Sequence, residues 1–300
     1  MKIKIYQIDA FTNVKFKGNP AGVVVNADDL TDTQMQAIAR ELNNSETAFL
    51  LKPDSEDHDF KIRFFTPTTE VPSCGHATVA SHCVRAIENN LSKGKYFHKI
   101  KVGVYPAELS VENDKYKVMM IQPVPKFLNI LSKEQENILL KALNIRSQDL
   151  INNVPIQVVD TGHSKVMVPV RSWNKLQEIA PEHNSLKELS KEISCNGYFV
   201  FTMDNRKDGY LTHGRMFAPA IGISEDPVTG NAIGPMGAYL VKYNLVKHNG
   251  KFISFKSLQG EKIKREGTVF VEVLIENNEP VQLKVGGFAT KVFATELEIY

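Results

Sequence analysis

The side chains that could do chemistry gather in three short stretches. Ser45-Glu46 stands at the mouth of an apolar segment, Thr47 to Leu51. Cys74-Gly75-His76 opens a run rich in small apolar residues, and Asp226 to Asn231 opens another. A carboxylate beside apolar sequence is a candidate general acid or base, and the same residue also reads as the solvated end of a strand. His76 has two readings as well: a proton carrier, or a core imidazole holding one backbone carbonyl. Cys74 lies next to a helix start, which favours a thiolate nucleophile or base; a small buried apolar residue would fit the same place. Asp226 before Pro227 reads as an N-cap and first helical residue, a structural role that still lets the carboxylate face a ligand. Gly75 and Gly230 would let a ligand approach the backbone closely.

The elements that must position these groups come in two matching sets. Arg63-Phe64-Phe65-Thr66-Pro67 has an echo in Arg215-Met216-Phe217-Ala218-Pro219, 152 residues on. Gly75-His76-Ala77 has an echo in Gly230-Asn231-Ala232, 155 residues on. Each copy reads as a strand, a loop, a glycine and then a helix of small apolar residues. An internal repeat of this size points to two similar units, each with a helix N-terminus whose unpaired N–H groups and positive dipole end attract an anion.

Around the two sets the periodicities place strands at 3–11, 23–25, 47–51 and 60–65. A helix with capping-box spacing follows Thr31, with Met35, Ile38, Ala39 and Leu42 on one stripe. A second helix, Ala77 to Ile87, is apolar almost all round, which suits burial inside a sheet. Further strands are expected at 100–104, 108–111 and 117–121, and Pro123 with Pro125 marks a junction. Beyond it come helices at 133–143 (N-cap Ser132), 173–179 and 185–193, and strands at 156–160, 165–170 and 197–203. The second glycine loop then leads to a helix ending near Tyr243, which Pro235 should kink or start later. Strands are expected at 252–256, 262–265, 268–275, 282–285 and 291–299, with Gly286-Gly287 between the last two.

The whole chain excludes several classes. Its 300 residues allow an ample core, with 42% hydrophobic and 23% charged residues. A net charge of +2 does not suit a nucleic-acid partner. No apolar run approaches a membrane span, and the N-terminus lacks the apolar region of a signal peptide. Cys74, Cys83 and Cys195 have no metal-site or disulfide spacing, and the eight histidines are scattered. No nucleotide fingerprint is present. The expectation is therefore a cytoplasmic protein without metal, cofactor, nucleic acid or membrane partner.

Four motifs taken together resemble the phenazine-biosynthesis (PhzF-like) family. They are Asp9-Ala10-Phe11 with Gly18-Asn19-Pro20-Ala21; Asn44-Ser45-Glu46-Thr47-Ala48-Phe49; Cys74-Gly75-His76-Ala77-Thr78; and Glu225-Asp226-Pro227-Val228-Thr229-Gly230. With Val285-Gly286-Gly287 near the end, the likeness runs from the first strand to the last. The resemblance implies the diaminopimelate-epimerase fold: α+β, two similar lobes, each a curled, mainly antiparallel sheet around a central helix, with the site in the cleft between them. It implies an N-terminal lobe of 1–125 plus 287–300, a C-terminal lobe of 126–286, and a homodimer.

It also implies roles. The family's acid/base glutamate matches Glu46, its assisting histidine and aspartate match His76 and Asp226, and the serine before the glutamate matches Ser45. Cys74, Gly75, Gly230 and Asn231 would line the substrate. Asn231 stands where the namesake isomerase has serine, and it keeps a donor for a carboxylate. Racemases of the same fold use one cysteine from each lobe; Cys74 matches the first, but Pro227 occupies the place of the second, which disfavours a two-thiol mechanism. The reading is a cofactor-independent isomerase of a small anionic metabolite. A racemase or epimerase of an amino or hydroxy acid, and a non-catalytic metabolite-binding protein, are the alternatives.

Overall fold

The computed structural model describes residues 1–204, 206, 207 and 209–299; Tyr300, at the end of the expected return to the first lobe, lies outside them. The chain divides into two compact units, Met1–Ile121 with the chain from Gly286 on, and Gln122–Val285. No helix among the described residues is long and apolar enough to cross a membrane.

The first unit is built from β1 (Lys2–Ala10), β2 (Asn19–Val25), α1 (Asp32–Leu42), β3 (Thr47–Leu51), β4 (Phe60–Phe65), β5 (Glu70–Val71), α2 (Gly75–Asn89), β6 (Gly94–Ile100), β7 (Gly103–Glu112) and β8 (Lys115–Gln122). The pairing runs β1 to β2 antiparallel, β2 to β3 parallel, β3 to β4 antiparallel, β4 to β6 parallel, then β6 to β7 to β8 antiparallel. The last strand of the chain, β17 (Glu279–Glu298), pairs with both β8 and β1 and closes an eight-stranded barrel. Closure pairs the edges of the eight strands with one another. Helix α2 packs against β1, β2, β3 and β4, with buried residues on every face, as its apolar composition requires. Helix α1 has the predicted capping box, Thr31 accepting from the Gln34 N–H and Gln34 reaching back.

The second unit repeats the order. It holds β9 (Lys126–Ile130), α3 (Lys133–Ala142), β10 (Gln157–Asp160), β11 (Lys165–Pro169), α4 (Trp173–Glu178), α5 (His183–Ile193), β12 (Tyr198–Thr202), β13 (Thr212–Ala218), β14 (Ile223–Asp226), α6 (Gly230–Lys242), β15 (Phe252–Gln259) and β16 (Gly267–Glu276). Strands β10 to β11 are antiparallel, β11 to β12 parallel, β12 to β13 antiparallel, β13 to β15 parallel and β15 to β16 antiparallel. That is the sequence of senses from β1 to β7. Helix α6 packs against β10, β11 and β16. Helices α3, α4 and α5 share a second core, with Leu139, Leu176, Leu186 and Leu189 among its buried residues.

Several elements differ from the sequence reading. Ile100, Val102 and Val104 alternate as a strand would, but Lys101-Val102 is the reversal of the β6–β7 hairpin, where Ile100 pairs with Gly103. Strand β6 itself escaped detection because His98, Lys95 and Lys99 mask its pattern; β9, with little burial, escaped for the same reason. Residues 262–265 form a compact turn closed by the Arg265 N–H donating to the Gly260 carbonyl. Gly286-Gly287 does not break β17. A Cβ at Gly286 would lie 1.9 Å from the Val118 carbonyl oxygen of β8, so the glycine permits close approach within a continuous strand. Asp226 is not an N-cap: it pairs with Met216 as the end of β14, and Thr229 occupies the cap position. Helix α6 begins at Gly230 and carries Pro235 inside it rather than starting later.

Candidate active site

In the first unit the connection from α1 to β3 brings Ser45 and Glu46 to the start of α2. Asn43 ends α1 in a left-handed conformation (φ 51°), its N–H on the Ala39 carbonyl. Asn44 is then tied to Gln7 of β1 by two reciprocal amide bonds of 2.9 Å. This anchor fixes where the next two residues point.

Glu46 Oε2 lies 3.5 Å from His76 Nε2, and Ser45 Oγ lies 3.4 Å from the same nitrogen. Cys74 Sγ is 3.4 Å from His76 Nδ1. The side chains of His76 and Glu46 are only 8% and 16% exposed, so the two groups meet largely out of water. Cys74 is the N-cap residue of α2, yet its side chain makes no capping bond and is turned toward the imidazole. Its carbonyl accepts from the Thr78 N–H and hydroxyl instead. His76 therefore faces side chains able to exchange a proton. Ser45, Glu46, Cys74 and His76, singled out in the sequence, come together here, at the N-terminus of α2.

The second unit builds its helix start from different groups. Asp226 Oδ2 accepts a short bond from the Thr229 hydroxyl. Gln259 of β15 holds this corner: its amide donates to the Asp226 carbonyl at 2.8 Å and to Thr229 Oγ1 at 3.1 Å, while its oxygen accepts from the Thr229 N–H at 3.0 Å. Asn231, next along α6, accepts at Oδ1 from Gln122 Nε2 at 3.1 Å. That bond orients the carboxamide and leaves its NH₂ as the outward donor. Gln122 is held in turn by the Thr161 hydroxyl at 3.4 Å. It reaches α6 only because residue 234 is glycine: a Cβ there would lie 2.0 Å from Gln122 Oε1.

Asp226, Gly230 and Asn231 thus lie at one corner, where β14 ends and α6 begins. Gln122, Thr229 and Gln259 were missed. Gln122 and Gln259 lie in strands far from the glycine loop, and single glutamines carry no motif. Lys165 was missed also. Burial pushes its ammonium below the usual lysine range, while Cys195, Asp226 and Asp160 pull it back up. Its stem crosses Gly197, where a Cβ would meet Lys165 Cδ at 2.5 Å.

One further device links the two corners by type. Arg63 of β4 donates from Nε and Nη2 to both oxygens of Glu70 on β5, at 2.8 and 3.1 Å. Arg215 of β13 does the same to Glu225 on β14, at 2.9 and 2.7 Å. The sequence echo between Arg63 and Arg215 is therefore a pair of bidentate clamps. Each ties down the short return strand that leads into a glycine turn.

The chain matches the family described as "Phenazine biosynthesis-like protein" over residues 8–295. It is 52% identical over 296 residues to an "uncharacterized isomerase" of Clostridium acetobutylicum, covering 99% of this chain and 98% of the relative. It is 33% identical over 282 residues to the trans-2,3-dihydro-3-hydroxyanthranilate isomerase of Pseudomonas chlororaphis, covering 93% and 94%. Among solved structures, a Bacillus anthracis phenazine biosynthesis protein of the PhzF family superposes with a TM-score of 0.89, at 32% identity and full coverage of both chains.

Proposed function

We propose, for a chain that belongs to the phenazine biosynthesis-like family and is an isomerase, that Glu46 carries a proton between two carbons of a small carboxylate-bearing metabolite. The observation that supports this most is the 3.5 Å approach of Glu46 Oε2 to His76 Nε2, with both side chains largely out of water. A carboxylate held there takes the proton from one carbon and returns it to another. His76 keeps the carboxylate oriented and steadies the charge that develops. Ser45 meets the imidazole at the same nitrogen, and Cys74 faces the other one.

The substrate's own carboxylate is assigned to backbone N–H groups at a helix start. Neither Cys74 nor Thr229 caps its helix through its side chain, so the groups at Gly75 and Gly230 are not consumed by a cap. In the second unit, Asp226 and the donor NH₂ of Asn231 serve the same reaction. The reading needs no cofactor and takes the protein as a cytoplasmic homodimer acting on a small anion.

A second reading, epimerisation with Cys74 as one base, has one observation in its favour: the 3.4 Å approach of Cys74 Sγ to His76 Nδ1. The products separate the two, since migration of a double bond and inversion of a stereocentre give different molecules.

The test is hydrogen exchange in D₂O. The protein and its Glu46→Gln variant are incubated with a small-molecule extract, and separately with the substrate of the Pseudomonas relative. Metabolites gaining one deuteron are identified by mass spectrometry. Exchange that needs Glu46 is the expected result. Exchange undiminished in Glu46→Gln would remove the mechanism.

A further inference from the structure

From the geometry of the first unit we infer that Glu46, Cys74 and His76 form a three-ligand site for a borderline-soft divalent cation, Zn²⁺ in particular. When filled, this site switches the isomerase off. The inference uses side chains that the proposed function also uses, but it stands on their arrangement and not on the proton transfer.

Chemistry and geometry agree. A thiol sulfur, an imidazole nitrogen and a carboxylate oxygen are the three donor types that zinc takes. One atom from each lies within 4.8 Å of the others. The edges of a zinc tetrahedron with such ligands are about 3.3–3.6 Å, from bonds of about 2.0 Å to nitrogen and oxygen and about 2.3 Å to sulfur. Here Glu46 Oε2 to His76 Nε2 is 3.5 Å, already an edge of that length. Cys74 Sγ to the same nitrogen is 4.0 Å. The sulfur lies nearer Nδ1, at 3.4 Å, so filling the site turns the imidazole and the Cys74 side chain about their torsions until one ring nitrogen faces both the sulfur and the carboxylate.

Three protein ligands leave a fourth position for water or for a substrate carboxylate, the pattern of an accessible site and not of a closed structural one. Binding displaces the Cys74 thiol proton to the buffer, so the complex contains Cys74 sulfur as thiolate. It also occupies the Glu46 oxygen that would accept the substrate proton. A bound zinc ion and a turning-over Glu46 are therefore mutually exclusive. Where α2 begins with Cys74 and His76, α6 begins with Thr229 and Asn231, neither of which is a zinc ligand.

The experiment uses Co²⁺ as a spectroscopic stand-in for Zn²⁺ on the full chain. The expected result is a near-ultraviolet thiolate-to-cobalt charge-transfer band, abolished by competing Zn²⁺. The band is lost in Cys74→Ser, shifted or weakened in Glu46→Gln, and retained in Cys83→Ala. Isothermal titration of the native protein should give one zinc per chain, with a proton released to the buffer. Zn²⁺ at ten times its dissociation constant should lower deuterium exchange roughly tenfold, by mass action, and a chelator should restore it. A missing charge-transfer band, or one that persists in Cys74→Ser, overturns the inference. So does zinc binding that leaves exchange untouched. Because the cobalt spectrum reads binding whether or not the protein turns over, a failure of the proton-transfer reading leaves this test intact.

Discussion

The start of α2 brings together a carboxyl, a thiol and an imidazole, those of Glu46, Cys74 and His76. The start of α6, at the matching place in the other unit, is set by two glutamine side chains, a threonine hydroxyl, an asparagine and the carboxylate of Asp226. The strand order leading to each is the same, and so is the arginine clamp. Duplication of a fold therefore kept the scaffold that aims a helix N-terminus and let the side chains divide. One corner is built mainly of ionisable side chains, and the other mainly of amides and a hydroxyl around Asp226. Proton transfer needs only one such carrier, whereas holding an anion needs fixed dipoles. The contrast teaches which corner chemistry should be lost from.

The largest expected effect breaks the contrast at its titrating side. Glu46→Gln should lower turnover by about 10²–10⁴-fold while ligand still binds. Asn231→Ala, at the dipole side, should raise KM more than it lowers kcat. Equal losses in kcat from the two variants would erase the proposed division of labour.

The clamps come next. The Arg215–Glu225 pair is 4% and 13% exposed, and Arg215 Nη1 also donates to the Leu176 and Ile179 carbonyls. Arg215→Met should cost about 3–5 kcal/mol in urea unfolding, since it strands a buried carboxylate. The Arg63–Glu70 pair is 26% exposed on both sides, and Arg63→Met should cost about 1 kcal/mol.

A pH effect should belong to the first unit. His82 Nε2 and His98 Nδ1 approach to 3.0 Å inside the barrel, beside Phe60 and Tyr105, with Arg85 stacked over Phe60. Burial lowers His98 to about 4, and burial, His98 and Arg85 hold His82 well below its ordinary value. Between pH 6.5 and about 4 the unfolded chain binds protons that the folded one refuses. Stability is thus full above pH 6.5, falls with acid, and does so by about 1.4 kcal/mol for each pKa unit of depression. A thermal melt series should show this fall, and His98→Phe should flatten it.

A further variant sharpens the dipole side. Gly234→Ala displaces Gln122 and unlocks Asn231, at a cost of about 1–3 kcal/mol in stability. It should raise KM as Asn231→Ala does. An unchanged KM would mean that Gln122 does not set the orientation of Asn231.

Local pattern carried much of this protein. The capping boxes at Thr31 and Ser132, the apolar face of α1 and the all-round apolarity of α2 follow from spacing within one turn or two, because those contacts are made by near neighbours in the chain. The repeat was legible for the same reason: each copy of strand, glycine and helix is a contiguous word. The candidate site residues Ser45, Glu46, Cys74, His76, Asp226, Gly230 and Asn231 could be named because they sit in those words. What they do to one another could not. Glu46 and His76 are brought together across the barrel wall by strand pairing, and a single sequence contains no distance between residues 30 apart. Gln122, Gln259 and Lys165 reach their corner from separate strands, and a lone glutamine has no signature. Asp226 followed by Pro227 satisfied the local rule for a helix cap, yet pairing with Met216 of β13 pulled its backbone into a strand and left Thr229 to begin the helix. Short-range preferences fix what each segment is inclined to be; only the hydrogen-bonding sheet, closing on itself over hundreds of residues, decides which inclination each segment keeps and which side chains meet.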